Sequence, residues 1–394
     1  MIRRLATRRV KSLLRQYPAV ALVGARQSGK TTLARGLTAA YYDLEQESDR
    51  LRLDLQWAEV EAGGRLVVLD EAQAYPEIFP RLRGAIDARR RLHGRFLLLG
   101  SVSPGLMRHV SESLAGRLAV CELTPFLVAE VGPRRLDDLW LRGGYPDGGI
   151  LGAARFPEWQ GHYARLLAER DLPSWGLPAQ PQVTLRLLKM LAASHGTVLN
   201  ASELGRSLGL SYHTVGSYLD YLEGAFLVRR LPPFAGNVRK RLVRSPRVYW
   251  RDSGLLHALL GVSNREALLA QPWLGASWEG FVVEQILGFL ATAGVDAAPC
   301  FFRTGDGFEA DLLLSLAGAT WVVEIKLTAA PGPGDLQRLV RVSEMVGADR
   351  RVLLTRTPTT VTSKDTVSTN LAGFLDLLRR TVPAARPGAA GARG

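Results

Sequence analysis

The sequence predicts an α/β protein in three parts: a parallel-sheet domain of the P-loop type, a winged-helix-like middle segment and a second α/β domain. Three observations predict this order. Short apolar runs in the first third of the chain end in glycine or an acid, as buried parallel strands do. Residues 181–232 then read as two or three helices with a tight turn. A predicted helix begins at Trp278, and the residues after that helix have the alternating pattern of strands.

The stretch Ala19–Leu33 begins as an apolar run and continues into a glycine loop and a helix-compatible segment. The full P-loop spacing, glycine followed after four residues by Gly-Lys-Thr, lies between Gly24 and Thr31. Glycines let successive N–H groups point at one anion, and the helix adds its positive end. We therefore predict an ATP site in which Lys30 contacts the β- and γ-phosphates and Thr31 holds Mg²⁺. The predicted nucleotide-binding residues are Gly24, Ala25, Arg26, Gln27, Ser28, Gly29, Lys30, Thr31 and Thr32.

A second buried strand is predicted just before the acids Asp70 and Glu71. Parallel sheets bind ligands at the carboxyl ends of their strands, which is where both acids would lie. Asp70 suits the Mg²⁺ shell, and Glu71 suits orienting or deprotonating the attacking water. An apolar run followed by Asp-Glu is weak by itself. Downstream of a P-loop it predicts ATP hydrolysis, because the phosphates and the water then each have an assigned group.

The next apolar run, Phe96–Leu99, is followed by Gly100 and Ser101. We predict that Ser101 senses the γ-phosphate from this neighbouring strand. Arg117 follows shortly afterwards and has two interpretations. It could stabilise transition-state charge at the nucleotide of a neighbouring subunit, or it could form an intrachain salt bridge. Arg108 is the weaker candidate for the first role.

Charge and cysteine content indicate which class of partner and which cellular compartment to expect. The formal net charge is +13, and the sequence pI is about 10.2. This excess favours a polyanionic partner, most simply DNA, although a basic, arginine-rich proteome would explain it equally well. Cys121 and Cys300 lie far apart and support neither a disulfide framework nor a metal cluster, which fits a reducing cytosol. No uncharged apolar run of about 18 residues occurs, so we expect no membrane span and a cytoplasmic location.

Residues 200–222 have helix-turn-helix spacing. Asn200 is placed to cap one helix and Ser211 to cap the next. The second helix would turn Tyr212 and His213 outward, and such a helix can enter the major groove of DNA. Winged-helix folds also serve as protein-contact modules, so both interpretations stay open.

Eight cations and no acid lie between Leu227 and Arg251. Backbone neutralisation by such a patch would give salt-dependent, sequence-tolerant DNA binding. The alternatives are a solvated face, or arginines bound to the first domain. The eight cations are Arg229, Arg230, Arg239, Lys240, Arg241, Arg244, Arg247 and Arg251. The predicted nucleic-acid contacts are Tyr212, His213, Arg239, Lys240, Arg241 and Arg244.

A further group of polar residues lies on the predicted C-terminal strands. Asp311 is followed, after twelve residues, by Glu324-x-Lys326, and strand alternation turns Glu324 and Lys326 to one face. Two carboxylates near one point can hold Mg²⁺, and a nearby lysine can position the attacking water. Glu279, on the preceding helix, could complete the metal shell. The alternative is an ordinary salt bridge at a sheet edge, because Glu-x-Lys pairs are common.

These segments resemble a family of bacterial and archaeal AAA-type ATPases whose C-terminal half is the domain of unknown function DUF4143. The resemblance covers about residues 1–375 and implies an AAA core and assembly into a homo-oligomeric ring, with a hexamer as one arrangement. It also implies a C-terminal domain related to PD-(D/E)XK nucleases, although Ala310 stands where that motif has proline. The motifs that carry it are residues 24–32, 69–73, 99–101, 113–117, 141–146, 169–172, 245–252, 302–304 and 323–326.

The expected organisation follows from these motifs. We expect an ATPase domain over residues 1–142, a connector over 143–180, a winged-helix-like segment over 181–252, a nuclease-like domain over 253–382 and a disordered tail over 383–394. The expected function is ATP hydrolysis in a protein acting on DNA, with a C-terminal domain that binds or cleaves nucleic acid. The alternative is a nucleotide-gated switch that docks a protein partner and whose nuclease-like domain is inactive.

Overall fold

The fold is given by a computed structural model that describes residues 2–38, 40–100, 114–236 and 242–382. The predicted α/β class is confirmed by three sheets flanked by helices. Among the predicted site residues, Ser101, Arg239, Lys240 and Arg241 lie outside the described residues, as does Arg108.

The first sheet has five parallel strands in the order β2-β3-β4-β1-β5. Strands β1, β3 and β4 are buried along their whole length, which is why their sequences are continuously apolar. The P-loop follows β1 and the acidic pair follows β3, so both lie at the carboxyl edge. The strands are β1 (Ala19–Val23), β2 (Tyr41–Asp43), β3 (Val67–Asp70), β4 (Phe96–Leu99) and β5 (Leu118–Glu122).

Helices cover both faces of this sheet. The basic N-terminal stretch forms the helix Ala6–Leu14, which buries Ala6, Val10 and Leu13 against the sheet and leaves its cations on the other side. The remaining elements are the helices Lys30–Arg35, Glu47–Leu55, Trp57–Ala62 and Ile78–Ala88 and the 3₁₀ turn Ala72–Ala74.

The middle of the chain is helical and ends in a two-stranded antiparallel sheet, β6 (Val228–Leu231) and β7 (Arg247–Trp250). The predicted caps are confirmed: the Asn200 side chain accepts from the Glu203 amide, and the Ser211 side chain accepts from the Thr214 amide. The helices are Val128–Val131, Leu136–Arg142, Glu158–Leu166, Leu172–Ser174, Pro181–Ala193, Ala201–Leu208 and Tyr212–Gly224, with a π-helical turn at Leu167–Asp171 and 3₁₀ turns at Pro133–Arg135 and Ala153–Arg155.

The C-terminal part is built on a six-stranded mixed sheet with the order β12-β13-β11-β10-β9-β8. Its strands are β8 (Cys300–Arg303), β9 (Glu309–Leu316), β10 (Ala319–Ile325), β11 (Arg350–Leu354), β12 (Val361–Ser363) and β13 (Thr366–Thr369). Its helices are Ser253–Leu259, Arg265–Leu269, Leu274–Ala293, Pro333–Val346 and Leu371–Thr381.

The long helix Leu274–Ala293 lies between the C-terminal sheet and the first domain and contacts both. It begins four residues before the predicted start at Trp278, and almost every residue from Ser277 to Leu290 is buried. It packs against the six-stranded sheet, against the N-terminal helix and against β5 of the first sheet. Within the described residues, this and the other helices are too short or too polar to cross a membrane.

Candidate active site

A cavity of about 700 Å³ opens at the carboxyl edge of the first sheet. The P-loop lines it from Arg26 to Leu33, and Glu71 lines it from the end of β3. The N-terminal helix contributes Thr7 and Lys11, and the connector contributes Pro146. Six of the nine predicted nucleotide-binding residues and the predicted acid Glu71 therefore line one space.

The P-loop needs glycine where it passes the end of β5. Gly24 has φ +149°, and a Cβ there would lie 2.2 Å from the Leu123 carbonyl oxygen, so no side chain fits. The Lys30 ammonium donates to the carbonyl oxygens of Gly24 and Ala25, each at 3.0 Å. Burial lowers the pKa of Lys30 to about 8, against the opposing effect of Glu71. The loop thus holds a lysine beside the space that the cavity offers to phosphates.

Asp70 collects three donors at the end of β3. The Thr31 hydroxyl donates to Asp70 Oδ2 at 2.8 Å, the Tyr41 hydroxyl donates to the same oxygen, and the Glu71 amide donates to Oδ1 at 2.9 Å. Asp70 is 5% exposed. A carboxylate and a hydroxyl oxygen at one point are the donor types that Mg²⁺ prefers, so Thr31 and Asp70 fit the predicted metal.

Glu71 is held in an unusual position. Its backbone has φ +48°, and the Gln73 side-chain amide donates to its carboxylate. Burial raises the pKa of Glu71, while the bond from Gln73 opposes that rise. A carboxylate with a raised pKa next to the P-loop is suited to accepting a proton from water.

Sequence reasoning missed Tyr41 and gave Gln73 no role. Tyr41 carries no motif; it reaches Asp70 because β2 pairs in parallel with β3, with Tyr41 opposite Val68. Gln73 was visible as part of the segment 69–73, and a polar residue two positions after the catalytic acid was the available signal.

Two further arginines close on the P-loop. Arg4 donates to the Ser28 carbonyl at 2.9 Å and to Glu130 Oε1 at 3.1 Å, which ties the loop to the N-terminal segment. Arg26, inside the P-loop, forms an ion pair with buried Asp171 of the connector. The loop is therefore in direct contact with the segment that leads to the middle helices.

Arg117 forms a bidentate ion pair with Asp87, at 2.7 and 2.8 Å. This is the intrachain salt bridge that the sequence left as one of two interpretations. Arg117 does not line the 700 Å³ cavity.

The predicted nucleic-acid residues that the structure describes lie at the surface. Tyr212 and His213 are exposed at the start of the helix Tyr212–Gly224, with ring centroids 3.8 Å apart. Arg244 is exposed just before β7. The other three predicted contacts lie at 239–241, outside the described residues.

Four of the eight cations between Leu227 and Arg251 are neutralised by acids from elsewhere in the chain, so for them the free basic patch is wrong. The reason is tertiary: a stretch without acids in sequence is surrounded by acids in space. Arg229 pairs with Glu284, Arg230 with Asp220 and Glu223, Arg247 with Glu279, Glu309 and Asp311, and Arg251 with Glu122 and Glu284.

The structure brings the predicted C-terminal acids together, but around an arginine. Arg247 Nη1 lies 3.1 Å from Glu279 Oε1 and 3.5 Å from Asp311 Oδ1. Asp311 Oδ2 accepts from the Ile325 amide at 2.8 Å, and Glu324 Oε1 lies 2.6 Å from the Lys326 ammonium. Among the described residues, no group of three or more His, Cys, Asp or Glu side chains could hold a metal ion. Both oxygens of Asp311 and one oxygen of Glu324 therefore already face an arginine, a backbone amide and a lysine, which leaves no pair of free carboxylates for the predicted Mg²⁺.

The three acids of this cluster lie close enough together to affect the pKa values of one another. Burial, and then the neighbouring charge of Asp311, raise the pKa of Glu279 to about 8 and that of Glu324 to about 7. Burial also raises the pKa of Asp311. Each of these carboxyls therefore holds its proton more readily than an exposed carboxyl does.

Comparison with known proteins places three family regions along the chain. Residues 16–132 match an AAA domain, 133–266 match the domain of unknown function DUF8612, and 274–372 match the domain of unknown function DUF4143. Two uncharacterized proteins, from Mycobacterium bovis and Mycobacterium tuberculosis, are each 42% identical over 337 residues, which is 84% of this chain and 75% of theirs.

Among solved structures, AMPPCP-bound DnaA from Aquifex aeolicus aligns at 12% identity over 56% of this chain and 87% of its own, with a TM-score of 0.26. A STAND ATPase from Pyrococcus horikoshii aligns at 13% identity over 74% of this chain and 47% of its own, with a TM-score of 0.23. Superpositions this loose carry no argument about function.

Proposed function

This chain belongs to a family of proteins that join an AAA domain to a C-terminal DUF4143 domain, and from that premise we propose that it hydrolyses ATP and couples turnover to contact with DNA. One observation supports the first half most strongly: Lys30, Thr31 and Glu71 line one cavity, and Asp70, 39 positions from Thr31, accepts a hydrogen bond from the Thr31 hydroxyl. ATP is the cofactor that a P-loop of this kind takes.

Each residue of the site has a chemical task in this proposal. Lys30 leaves its loop carbonyls to contact the β- and γ-phosphates, and the loop amides hold the remaining phosphate oxygens. Thr31 and Asp70 would hold Mg²⁺, which neutralises charge on the phosphates when bound. Glu71, kept in place by Gln73, orients the attacking water and takes its proton.

Two predicted residues complete the proposal without direct support from the described contacts. Ser101, next to β4, would sense the γ-phosphate. Arg117 would leave Asp87 to reach the nucleotide of a neighbouring subunit, which requires a homo-oligomeric ring. We propose both roles for a cytoplasmic assembly.

The first test is ATP hydrolysis by Lys30→Ala. Loss of the phosphate-binding ammonium should lower the rate of phosphate release by about 100-fold or more, because the charge developing on the phosphates loses its compensation. The matched control is Lys189→Ala, an exposed lysine outside the cavity, which should keep the wild-type rate. Normal hydrolysis by the Lys30→Ala protein would exclude this site.

DNA contact is proposed through the helix Tyr212–Gly224 and the predicted cationic contacts at 239–241 and 244. Its first residues, Tyr212 and His213, are exposed, as first-turn residues of a recognition helix must be. Arg244, with residues 239–241, would neutralise the backbone beside it. The C-terminal domain would hold the strand.

The DNA proposal predicts a steep salt dependence. With about four phosphate contacts, affinity should fall roughly 100-fold between about 50 and 200 mM salt. Arg244→Ala should weaken binding and lower the slope of log affinity against log salt by about one. The matched control is Arg83→Ala, on an exposed arginine of the helix Ile78–Ala88 in the first domain, which should leave the slope unchanged. Fluorescence anisotropy with labelled duplex and forked DNA measures both.

One observation favours a second candidate, a nucleotide-gated protein-interaction switch. Half of the cations that suggested DNA are neutralised within the chain, so the surface is less basic than its sequence. A switch of this class would show no measurable DNA binding at low salt, and therefore no dependence of affinity on salt. The same titration separates the two candidates.

A further inference from the structure

Strand β7 presents two different faces to the two halves of the molecule. Val248 and Trp250 point into the core of the middle helices. Arg247, Tyr249 and Arg251, at alternate positions, point the other way. That second face meets the helix Leu274–Ala293 and the six-stranded sheet.

Arg247, Tyr249 and Arg251, the residue after β7, each contact at least one carboxylate. The Tyr249 hydroxyl donates to Glu279 Oε1. Arg251 pairs with Glu284 at 3.0 Å and with Glu122 at the end of β5. The strand is thereby tied by ion pairs and a hydrogen bond to both neighbouring parts of the chain.

Arg247 is buried among three carboxylates. Its side chain is 4% exposed, and its guanidinium lies over the Phe301 ring, 4.9 Å from the centroid. Nη1 faces Glu279 and Asp311, while Nη2 lies 2.9 Å from Glu309 Oε2. A buried guanidinium requires several acceptors, and this one has three carboxylates.

The same contacts engage both oxygens of Asp311 and one oxygen each of Glu279 and Glu324. One oxygen of Asp311 faces Arg247, and the other accepts the Ile325 amide. Glu324 is engaged by Lys326, and Glu279 by Tyr249 and Arg247. A divalent cation placed among them would also lie against the charge of a buried guanidinium, and Coulomb repulsion at that distance opposes it.

We propose that the acid cluster around Asp311 is a seat for the Arg247 guanidinium rather than a metal centre. It joins the helical middle of the chain to the C-terminal sheet, and the nuclease-like domain carries out no metal-dependent cutting at this cluster. The resemblance to nucleases then reflects a shared scaffold, in which the acids bind the Arg247 guanidinium in place of a metal ion.

The first test asks whether the cluster binds metal. The full chain with Asp70→Asn, which removes the metal ligand of the ATP site, is titrated with Mn²⁺ and followed by electron paramagnetic resonance. Adding Asp311→Asn to this protein should leave its Mn²⁺ binding unchanged.

A cleavage assay asks whether the cluster cuts DNA. Wild-type protein with Mg²⁺ or Mn²⁺ should show no cleavage of labelled single-stranded, duplex or forked DNA that depends on Lys326, as judged by comparison with Lys326→Ala. Mn²⁺ binding lost with Asp311→Asn, or cutting lost with Lys326→Ala in a protein that circular dichroism shows folded, overturns the proposal.

The second test measures the seat itself by a double-mutant cycle. Arg247→Met leaves buried carboxylates uncompensated and should lower the melting temperature by about 5 °C. Adding Asp311→Asn removes one of those charges, so the double variant should melt at a higher temperature than Arg247→Met alone. Additive losses would overturn the proposal. The control pair, Arg379→Met and Asp376→Asn, is exposed and should show small, additive effects. If Arg247→Met does not fold, the metal and cutting measurements decide alone.

Discussion

At the scale of single residues, Glu71, the acid we propose as the general base, is held by a neighbour two positions along the chain. Glu71 has a left-handed backbone conformation that places its carboxylate beside the P-loop, and Gln73 donates to that carboxylate. Burial raises the pKa of Glu71, and the hydrogen bond from Gln73 opposes that rise and fixes the orientation of the carboxylate. Gln73 is thus a positioning residue.

Gln73→Ala should lower kcat for ATP hydrolysis by about tenfold, because a hydrogen bond to a charged group contributes roughly 1.5 kcal/mol or more. The pKa of Glu71 should rise without the donor, so the increase of rate with pH should move to higher pH. Nucleotide affinity, measured by calorimetry, should be unchanged. Gln46→Ala, on an exposed glutamine, serves as the control. An unshifted pH profile with full activity would show that Gln73 does not act on Glu71.

At the scale of elements, a single carboxylate joins a loop to a helix. Asp252 accepts from the Leu255 amide, which caps the helix Ser253–Leu259, and from the Gly144 amide at 2.7 Å. Burial raises the pKa of Asp252 to about 6, against the bonds from backbone amides. The loop can approach this closely only because Gly143 has no side chain: a Cβ there would lie 2.1 Å from Asp252 Oδ1.

Gly143→Ala should therefore destabilise the protein by more than backbone strain alone. Gly132→Ala is a matched control, because both glycines have positive φ and extended ψ, at 90° and 152° for Gly132 and at 77° and 176° for Gly143. Nothing lies within 4 Å of a Cβ at Gly132, so that variant reports strain, about 1–3 kcal/mol. Gly143→Ala should cost about 2 kcal/mol more in urea unfolding. Equal losses would mean that Asp252 moves aside without cost.

At the scale of the whole molecule, buried polar groups hold the parts together. Arg251 links Glu122 of the first sheet to Glu284 of the central helix, and His257 joins the Leu141 carbonyl to the Ser277 hydroxyl. His195 Nδ1 accepts from the Trp250 amide at 3.0 Å. Burial lowers the pKa of His195 to about 3 and that of His257 to about 4, so both are neutral in the folded chain.

These histidines predict that the protein loses stability in mild acid. Their folded pKa values lie below the unfolded value of about 6.5, so the unfolded chain binds more protons and stability falls as pH drops below about 6.5. At pH 5 each histidine should cost about 2 kcal/mol in the free energy of unfolding. Two nearby ionisable groups also act on the pKa of His195: His257 lowers it and Glu284 raises it.

Urea unfolding at pH 7.5 and 5.0 tests this. His257→Gln lowers stability at both values but should reduce the loss between them by about 2 kcal/mol. His213→Gln, at an exposed histidine, should leave the loss unchanged. A loss equal in wild type and His257→Gln would show that His257 is already protonated in the folded state or does not titrate.

Much of the fold followed from local patterns. Continuous apolar runs indicated β1, β3 and β4, because parallel strands buried on both faces carry no alternation. The P-loop spacing and the acids after β3 indicated an ATP site, because the chemistry fixes residue types along a few consecutive positions. The caps at Asn200 and Ser211 were readable since a cap acts within three residues.

What the sequence by itself determined was therefore the order of elements and the residues whose neighbours lie close in the chain. Only the tertiary structure decided which charges meet. Arg247 and Asp311 are 64 positions apart, and Tyr41 reaches Asp70 across a strand pair. A run of cations without acids looked like a free basic surface, yet half of it is neutralised in space. Electrostatic pairing depends on distance in three dimensions, and that information is absent from local spacing.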